Sequence, residues 1–132
     1  MYRRDLLTAE IQKLAQALAR IMGLKQQGKT EEAQNGLEET LETEYGILYT
    51  DLLAANLDDF EAFLIQKDFP SEKLDLFSQF LYLKFNPSEQ SSDGKSLAEK
   101  LLLIYSTLEV KHHVINMINL DRQKTIQLYL KS

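Results

Sequence analysis

The sequence contains no cysteine, only two prolines and only five glycines among its 132 residues. The lack of cysteine excludes disulfide bonds, zinc–thiolate sites and catalysis by a thiolate. The scarcity of proline and glycine leaves room for long helices and argues against a β-rich fold with many turns. The hydrophobic content of 44% and the charged content of 27% are ordinary globular values. We therefore expect one domain that spans residues 1–132.

Long apolar runs and clusters of basic residues are also missing. The run at 101–105 has only five apolar residues, far fewer than a membrane-spanning helix needs. Asp5 and Glu10 interrupt what would otherwise be a basic signal-peptide start. The net charge is −5, and residues 30–66 contain ten acidic residues and no Lys or Arg. Because phosphate binding depends on clustered Lys and Arg, we expect no binding to nucleic acid. Without a membrane-spanning run or a signal peptide, we expect a soluble, cytoplasmic protein that does not bind membranes.

Apolar residues recur every three or four positions on both sides of Gly28, as they do on one face of a helix. They are Leu7, Ile11, Leu14, Leu18 and Ile21 before it, and Ala33, Leu37 and Leu41 after it. Gly28 can close the first helix in a left-handed conformation, and Thr30 can cap the second. The pattern predicts helices over about 4–26 and 30–44 that form an antiparallel hairpin.

Small residues on these two helices predict close packing between them. Ala15, Ala19 and Gly23 form a row at four-residue spacing on the first helix. Gly36, inside the second helix, costs about 1 kcal/mol relative to alanine, so we expect a tight contact there as well.

Further helix signals follow at residues 47–56, 58–67, 71–85, 97–111 and 119–130. Asp58, Ser96 and Asn119 are the predicted amino-terminal caps, the first two in capping boxes with Glu61 and Glu99. Residues 91–95 are expected to form a loop, and residues 114–119 a connector. These signals together predict an all-α fold of five to seven helices, built on antiparallel hairpins.

The 71–85 segment is apolar on almost every side, which is typical of a buried helix. We expect neighbouring helices or a second subunit to cover it. Its aromatic residues, together with two from the preceding helix, either pack in the core or line a pocket for an apolar ligand. They are Phe60, Phe63, Phe77, Phe80, Tyr82 and Phe85.

The turn from Gly28 to Ala33, followed by Leu37, resembles the second half of a tetratricopeptide (TPR) unit. Gly94 is followed by a comparable pattern about two 34-residue periods later, formed by Ala98, Leu102 and Tyr105. The first half of the motif departs, with Ala17, Arg20, Ile21 and Leu24 in place of Trp, Leu, Gly and Tyr. Tyr45 also stands where the closing proline is expected.

The whole chain resembles an uncharacterised bacterial family of small TPR-like helical proteins. The shared features are the start at residues 3–7, the turn at residues 28–33 and a late leucine-rich helix. The resemblance implies a TPR-like fold and no particular activity or cofactor.

Glu109 and His112 have the Glu-x-x-His spacing that binds metal in di-iron helical bundles. Such a site needs a second copy of the motif, and His113 is the only other histidine. The alternative is that these histidines lie at the carboxyl end of a helix, where positive charge is favoured. No Gly-x-Ser-x-Gly motif or phosphate-binding glycine loop is present, so we do not expect hydrolytic catalysis. We also expect no cofactor.

Acidic residues cluster on one face of the second predicted helix. Glu31, Glu38 and Glu42 fall opposite Ala33 and Leu37 on a helical wheel, with Glu39 beside them. This acidic face is either a solvated surface or a docking surface for a basic partner, such as the basic carboxyl-terminal segment of another copy.

The sequence therefore favours a protein–protein interaction or scaffolding module of unknown partner, without enzymatic activity and able to form a homodimer. This expectation rests largely on fold analogy. The alternative is a helical bundle that binds a small molecule or a metal and has an enzymatic activity. An enclosed pocket with convergent polar groups would favour the alternative, whereas an open groove or apolar patch would favour the interaction module.

Overall fold

The computed structural model describes residues 2–132, which are all-helical and contain no β-strand. The seven α-helices are α1 Tyr2–Gln26, α2 Thr30–Thr40, α3 Tyr49–Ala54, α4 Leu57–Lys67, α5 Ser71–Lys84, α6 Ser92–Val110 and α7 Met117–Lys131. One turn of π-helix, Leu41–Tyr45, continues directly from α2. The predicted all-α class with five to seven helices is confirmed. Within residues 2–132, none of these helices has the length and apolar character needed to cross a bilayer.

The chain divides into two compact units. Unit 1 covers residues 1–49 and holds α1, α2 and the π-helical turn. Unit 2 covers residues 50–132 and holds α4 to α7 with nearly all of α3. The expectation of one domain over residues 1–132 stays a prediction, because a domain is defined by cooperative folding.

The turn between α1 and α2 is a Schellman motif. The amides of Gly28 and Lys29 donate to the carbonyls of Lys25 and Leu24, at 3.1 and 2.9 Å. Gly28 has a φ of +78°, a left-handed conformation that glycine adopts without steric cost. The predicted role of Gly28 is therefore confirmed.

The predicted cap at Thr30 is wrong. α2 begins at Thr30 itself, and Lys29 occupies the cap position without a side-chain hydrogen bond. The carbonyl of Lys29 accepts the first helical hydrogen bond, from Ala33 at 3.0 Å. Because the Schellman turn is so short, the helix begins one residue before a threonine cap would allow.

Most of the predicted stripe residues of the hairpin are buried: Leu14, Leu18, Ile21, Ala33, Leu37 and Leu41. The first two of the stripe on α1, Leu7 and Ile11, are only half-buried. The row of small residues on α1 does not face α2. Ala15 and Ala19 are exposed, and a Cβ added to Gly23 would meet no atom within 4 Å. Ala15 and Ala19 each come one residue after a stripe position, and Gly23 comes two residues after Ile21. Because each residue turns a helix by about 100°, all three point away from the stripe. The prediction that this row packs against α2 is therefore wrong.

Three helices of unit 2 begin with a side-chain oxygen that accepts the amide hydrogen three residues later. The pairs are Asn56 with Asp59, Ser91 with Gly94 and Asn116 with Asn119, at 2.8, 3.0 and 2.8 Å. The predicted caps Asp58, Ser96 and Asn119 are therefore wrong. The chain offers several residues with capping chemistry at each boundary, and the observed caps all lie earlier than predicted.

Ser96 shows why spacing alone misleads. Its hydroxyl donates to the carbonyl of Leu53 at 2.7 Å, a partner 43 residues away, so it is engaged in tertiary structure. Ser91 caps α6 in its place, and α6 begins at Ser92. The segment 91–95, predicted as a loop, is the cap and first turn of that helix.

The predicted burial of the 71–85 segment is confirmed in α5. Leu74, Leu76, Phe77, Phe80, Leu81 and Phe85 are buried, and its other apolar residues, Tyr82 and Leu83, are half-buried. Neighbouring helices of one copy cover most of α5, and a second subunit over the rest of it stays a prediction.

The aromatic residues of unit 2 pack mainly against one another. The ring of Phe77 lies 6.3 Å from that of Phe60 and 5.9 Å edge-to-face from that of Phe69. Phe85 and Tyr129 make another edge-to-face pair at 5.0 Å. These distances are typical of favourable aromatic contacts. These rings therefore pack in the core.

Substitution by alanine should have opposite effects on stability at two helical glycines, Gly36 and Gly94. A Cβ at Gly36 would lie 3.5 Å from Cγ1 of Ile21, an ordinary contact, whereas one at Gly94 would lie 2.3 Å from the Tyr129 hydroxyl. That hydroxyl donates to the Glu89 carbonyl at 2.8 Å. The expected tight contact at Gly36 is thus not present.

We expect Gly36→Ala to raise the free energy of unfolding by about 0.5–1 kcal/mol, through helix propensity. Gly94→Ala should lower it by about 1–3 kcal/mol, because the hydroxyl of Tyr129 must move and lose its hydrogen bond. Urea denaturation of both variants measures the difference. Changes of the same sign would contradict the predicted packing.

Candidate functional site

The acidic face of α2 and the π-helical turn has most of the exposure that the helical wheel predicts. Glu31, Glu39 and Glu42 are exposed and Glu38 is half-buried, whereas Ala33 and Leu37 on the opposite side are buried. Glu38 also has an interaction within the chain. The use of this face for docking stays a prediction.

A surface groove of about 410 Å³ lies beside this face in unit 1. It is lined by Lys13, Leu14, Ala17, Arg20, Gly36, Glu39, Thr40, Thr43 and Glu44. Its two cations come from α1 and its two carboxylates from α2 and the π-helical turn, and Lys13 pairs with Glu44 at 3.3 Å. Since the opposite charges balance, this groove has no preference for an acidic or a basic ligand.

Glu109 and His112 do not share one helix. α6 ends at Val110, and Lys111 is its carboxyl-terminal cap. Glu109 is exposed and His112 is half-buried just beyond the helix. Across residues 2–132, no group of three or more histidine, cysteine or acidic side chains is placed to hold a metal ion.

The end of α6 is tied to the end of α4 by an ion pair. Lys111 Nζ lies 2.6 Å from Asp68 Oδ1. The hydrogen bond and the charge of Lys111 hold the pKa of Asp68 below its usual value, and His112 adds a smaller effect of the same sign. Both partners are exposed, so the pair contributes little to stability. It holds Lys111, the first residue of the connector between α6 and α7 (residues 111–116), beside the end of α4.

A polar cluster holds α7 against α5. The buried Asn119 donates from Nδ2 to Asp75 Oδ1 at 2.9 Å, and Gln79 donates from Nε2 to Asp75 Oδ2 at 3.0 Å. Asp75 lies on α5 and Asn119 in the first turn of α7. The two hydrogen bonds therefore satisfy both oxygens of a half-buried carboxylate.

Two buried donors in this region have no hydrogen-bond partner among the described residues: Tyr105 Oη and Arg122 Nη1. Ser78 and Arg122 lie near the hydroxyl of Tyr105, but neither makes a well-formed hydrogen bond with it. Burial raises the pKa of Tyr105. The guanidinium of Arg122 lies 4.5 Å from the centre of the Tyr82 ring, a cation–π contact.

The cavity beside Tyr105 is too small for a substrate. Its volume is about 10 Å³, and Glu109, Asn116 and Asn119 are among its other lining residues. A volume of this order holds at most about one water molecule. The polar cluster therefore has a structural role in joining α5, α6 and α7.

We expect Tyr105→Phe to raise the free energy of unfolding by about 1 kcal/mol at neutral pH, because it removes a buried hydroxyl that has no partner. Since the folded-state pKa of Tyr105 is raised, the folded state keeps a proton that the unfolded state loses above pH of about 10. Relative to an ionised Tyr105, the retained proton stabilises the folded state below that pH. This stabilisation is lost as the pH rises through the folded-state pKa. Tyr105→Phe has no hydroxyl to ionise, so its stability should not fall in this way at alkaline pH.

Tyr129→Phe is the matched control for this prediction. Tyr129 is also buried, but its hydroxyl donates to Glu89, so its removal should cost about 0.5–1.5 kcal/mol. Urea denaturation at neutral and alkaline pH compares the two variants. Equal destabilisation by both would show that the hydroxyl of Tyr105 is hydrogen-bonded.

Lys100 is a buried cation without a carboxylate partner among its hydrogen bonds. It is 3% exposed, and its Nζ donates to the Ala55 carbonyl and, at 2.7 Å, to the hydroxyl of Ser96. Burial lowers the pKa of Lys100. Because Ala55 directly follows α3, the ammonium group satisfies a carbonyl at the negative end of that helix. Its role is structural.

The acid-rimmed groove is an open, largely apolar surface of unit 2. Its volume is about 520 Å³, and it is lined by Leu57, Leu102, Leu103, Leu130, Asp58, Glu61 and Glu99. Four leucines therefore form the floor and three carboxylates the rim, and none of the seven residues is basic. All three acidic side chains are exposed.

Helices α4, α6 and α7 place these residues. Leu57 begins α4, with Glu61 one turn later, and Leu130 lies near the end of α7. Leu102 and Leu103 are half-buried, beside the fully buried Leu101 and Ile104 of α6. The signal in the sequence is that α6 carries apolar residues outside its buried stripe. The apolar character of the groove suits another protein's side chains.

Compared with known protein families, curated proteins and solved structures, the chain gives no significant match to any of them. The TPR-like resemblance therefore stays a prediction, and a function has to be argued from the surfaces of the chain itself.

Proposed function

We propose that this protein is a protein–protein interaction module and that the acid-rimmed groove is its docking site. The observation that carries the proposal is the combination of a leucine floor with a rim of three carboxylates and no cation. A segment that presents apolar side chains flanked by Lys or Arg matches this surface in both shape and charge.

The two parts of the groove have different roles in binding. The leucine floor supplies affinity, because apolar area removed from water is worth about 25 cal/mol per Å² before the costs of association. The carboxylate rim steers the approach of a basic partner and excludes an acidic one. A short, ordered segment that presents several closely spaced apolar anchors is the partner shape that such a groove accepts.

The acidic face of unit 1 is a weaker candidate for docking. Its defining residues Glu31, Glu38, Glu39 and Glu42 supply charge but no apolar contact. Exposed charges of this kind change association rates more than affinity. They provide the control surface for testing the groove.

The test is affinity capture from the native cell with three versions of the protein. These are the wild type, the groove double variant Glu61→Lys/Glu99→Lys and the control double variant Glu31→Lys/Glu42→Lys. All four glutamates are exposed, and both double variants change the net charge equally. We expect a partner that the wild type and the control retain and that the groove variant loses.

The captured partner is then purified and its binding measured at low and high salt. We expect about tenfold or more weakening by the groove variant, and weaker binding of the wild type at high salt because the rim charges are screened. Loss of the partner in the control alone would assign docking to the acidic face of unit 1. Equal binding by all three versions would overturn the proposed site.

A further inference from the structure

The α6–α7 connector and its flanks form an exposed apolar surface in unit 2, here named the apolar tip and defined as residues 110–118. Val110, Ile115, Met117 and Ile118 are 71%, 61%, 82% and 65% exposed. The tip also contains Lys111, His112 and His113, and no Asp or Glu. Exposed apolar residues gathered in one segment mark an interaction surface.

The tip has a defined backbone. The amide of Val114 donates to the Leu108 carbonyl at 2.9 Å, which ties the connector to α6. Asn116 accepts from the amide of Asn119 at 2.8 Å and starts α7. A partner therefore meets apolar side chains on a fixed support, which lowers the entropy cost of binding.

We infer that the acid-rimmed groove of one copy receives the apolar tip of a second copy. This inference rests on the proposed function of the groove and names its occupant. The groove is apolar and acidic without a cation. The tip is apolar, and its one lysine, Lys111, is held only in an exposed ion pair with Asp68. One contact thus covers two exposed apolar surfaces. It also brings Lys111 to the rim carboxylates, for which it can exchange its weak, exposed pairing with Asp68.

The contact has to be intermolecular. Leu103 lines the groove, and Val110 begins the tip seven residues later on the same helix. Seven residues of α-helix separate these positions by about 10 Å. Beyond the helix, Ile115, Met117 and Ile118 are 61%, 82% and 65% exposed, so the tip does not enter its own groove.

The same spacing allows two copies to close into a symmetric pair. Seven residues are about two helical turns, so Leu103 and Val110 lie on one side of α6 with the exposed Ser106 between them. Two α6 helices that cross antiparallel near Ser106 bring each tip to the groove of the other copy. Such a two-fold arrangement buries both contacts in one closed dimer.

Self-association is measured by sedimentation velocity from micromolar to submillimolar concentration. The tip double variant is Met117→Glu/Ile118→Glu, and the groove double variant is Glu61→Lys/Glu99→Lys. We expect wild-type dimers and about tenfold or more weaker dimerisation in either variant. Leu128→Glu is the control, because Leu128 is 68% exposed on α7 outside both surfaces, and it should dimerise like the wild type.

Mixing the two double variants gives the decisive measurement. The tip variant keeps an intact groove and the groove variant keeps an intact tip, so the mixture should form heterodimers although neither variant dimerises alone. The other contact joins an acidic tip to a basic groove and also favours the mixed pair. Circular dichroism checks that each variant remains folded.

Three results would overturn the inference: a monomeric wild type, dimers that neither variant weakens, and a mixture that stays monomeric. A monomeric wild type that binds vesicles of anionic phospholipid through Met117 and Ile118 would assign the tip to a membrane surface and would also overturn it. If the wild type is monomeric but the groove variant still loses a captured partner, the proposed function stands and only the second copy is excluded.

Discussion

Ala33→Arg is expected to unfold the α1–α2 hairpin of unit 1. Ala33 is 5% exposed and belongs to the apolar stripe of α2 that is packed against α1. Arginine at this position either buries an unpaired cation or forces the two helices apart. We expect a loss of more than about 4 kcal/mol, which is exceptional for a single substitution.

Thermal unfolding followed by circular dichroism measures this loss. Ala19→Arg is the matched control, because Ala19 is exposed on α1 and a surface substitution there should change stability by less than about 0.5 kcal/mol. An Ala33→Arg protein with an unchanged melting temperature would contradict the hairpin packing.

Leu81→Ala is expected to destabilise the protein by about 2–5 kcal/mol. Leu81 is fully buried on α5, beside the fully buried Phe77 and Phe80. Removal of its side-chain methyl groups loses their burial and leaves a cavity that the surrounding core can fill only in part.

The midpoint and slope of urea denaturation give the size of this effect. Leu128→Ala removes the same atoms from a side chain that is 68% exposed, so its cost should stay below about 0.5 kcal/mol. A cost below about 1 kcal/mol for Leu81→Ala would show that α5 lies at the periphery of unit 2.

Helix α6 explains why the candidate site was harder to predict than the core. Leu101, Ile104 and Leu108 lie on its buried stripe, and their spacing identifies them in the sequence. Leu102 and Leu103 lie beside that stripe and are half-buried. Only the positions of α4 and α7 show that they form the floor of a groove and not a wider core face.

The carboxylates of the groove were equally ambiguous in the sequence. Asp58, Glu61 and Glu99 have the spacing and chemistry of helix caps, and the capping-box pattern assigned them to that role. In the structure Asn56 and Ser91 cap these helices, which leaves the three carboxylates exposed on the groove. Their role depends on which of several adjacent residues makes the cap.

Local features of the sequence determined the all-α class, the turn at Gly28 and the buried stripes. Each depends on residues within a few turns of one helix: a 3.6-residue period selects the buried face, and a left-handed turn selects glycine. The helix that these rules identified as buried, α5, is buried in the structure.

Tertiary structure alone decided the burial of Lys100, the engagement of Ser96 and the groove itself. Lys100 reaches Ala55, Ser96 reaches Leu53 and Asn119 reaches Asp75, across 45, 43 and 44 residues. The apolar period of a helix is set within one segment, whereas the environment of a polar side chain is set by whichever segment packs beside it. The sequence could therefore determine the buried stripe of a helix, but only the packing of distant helices decided which other polar and apolar residues remain for binding.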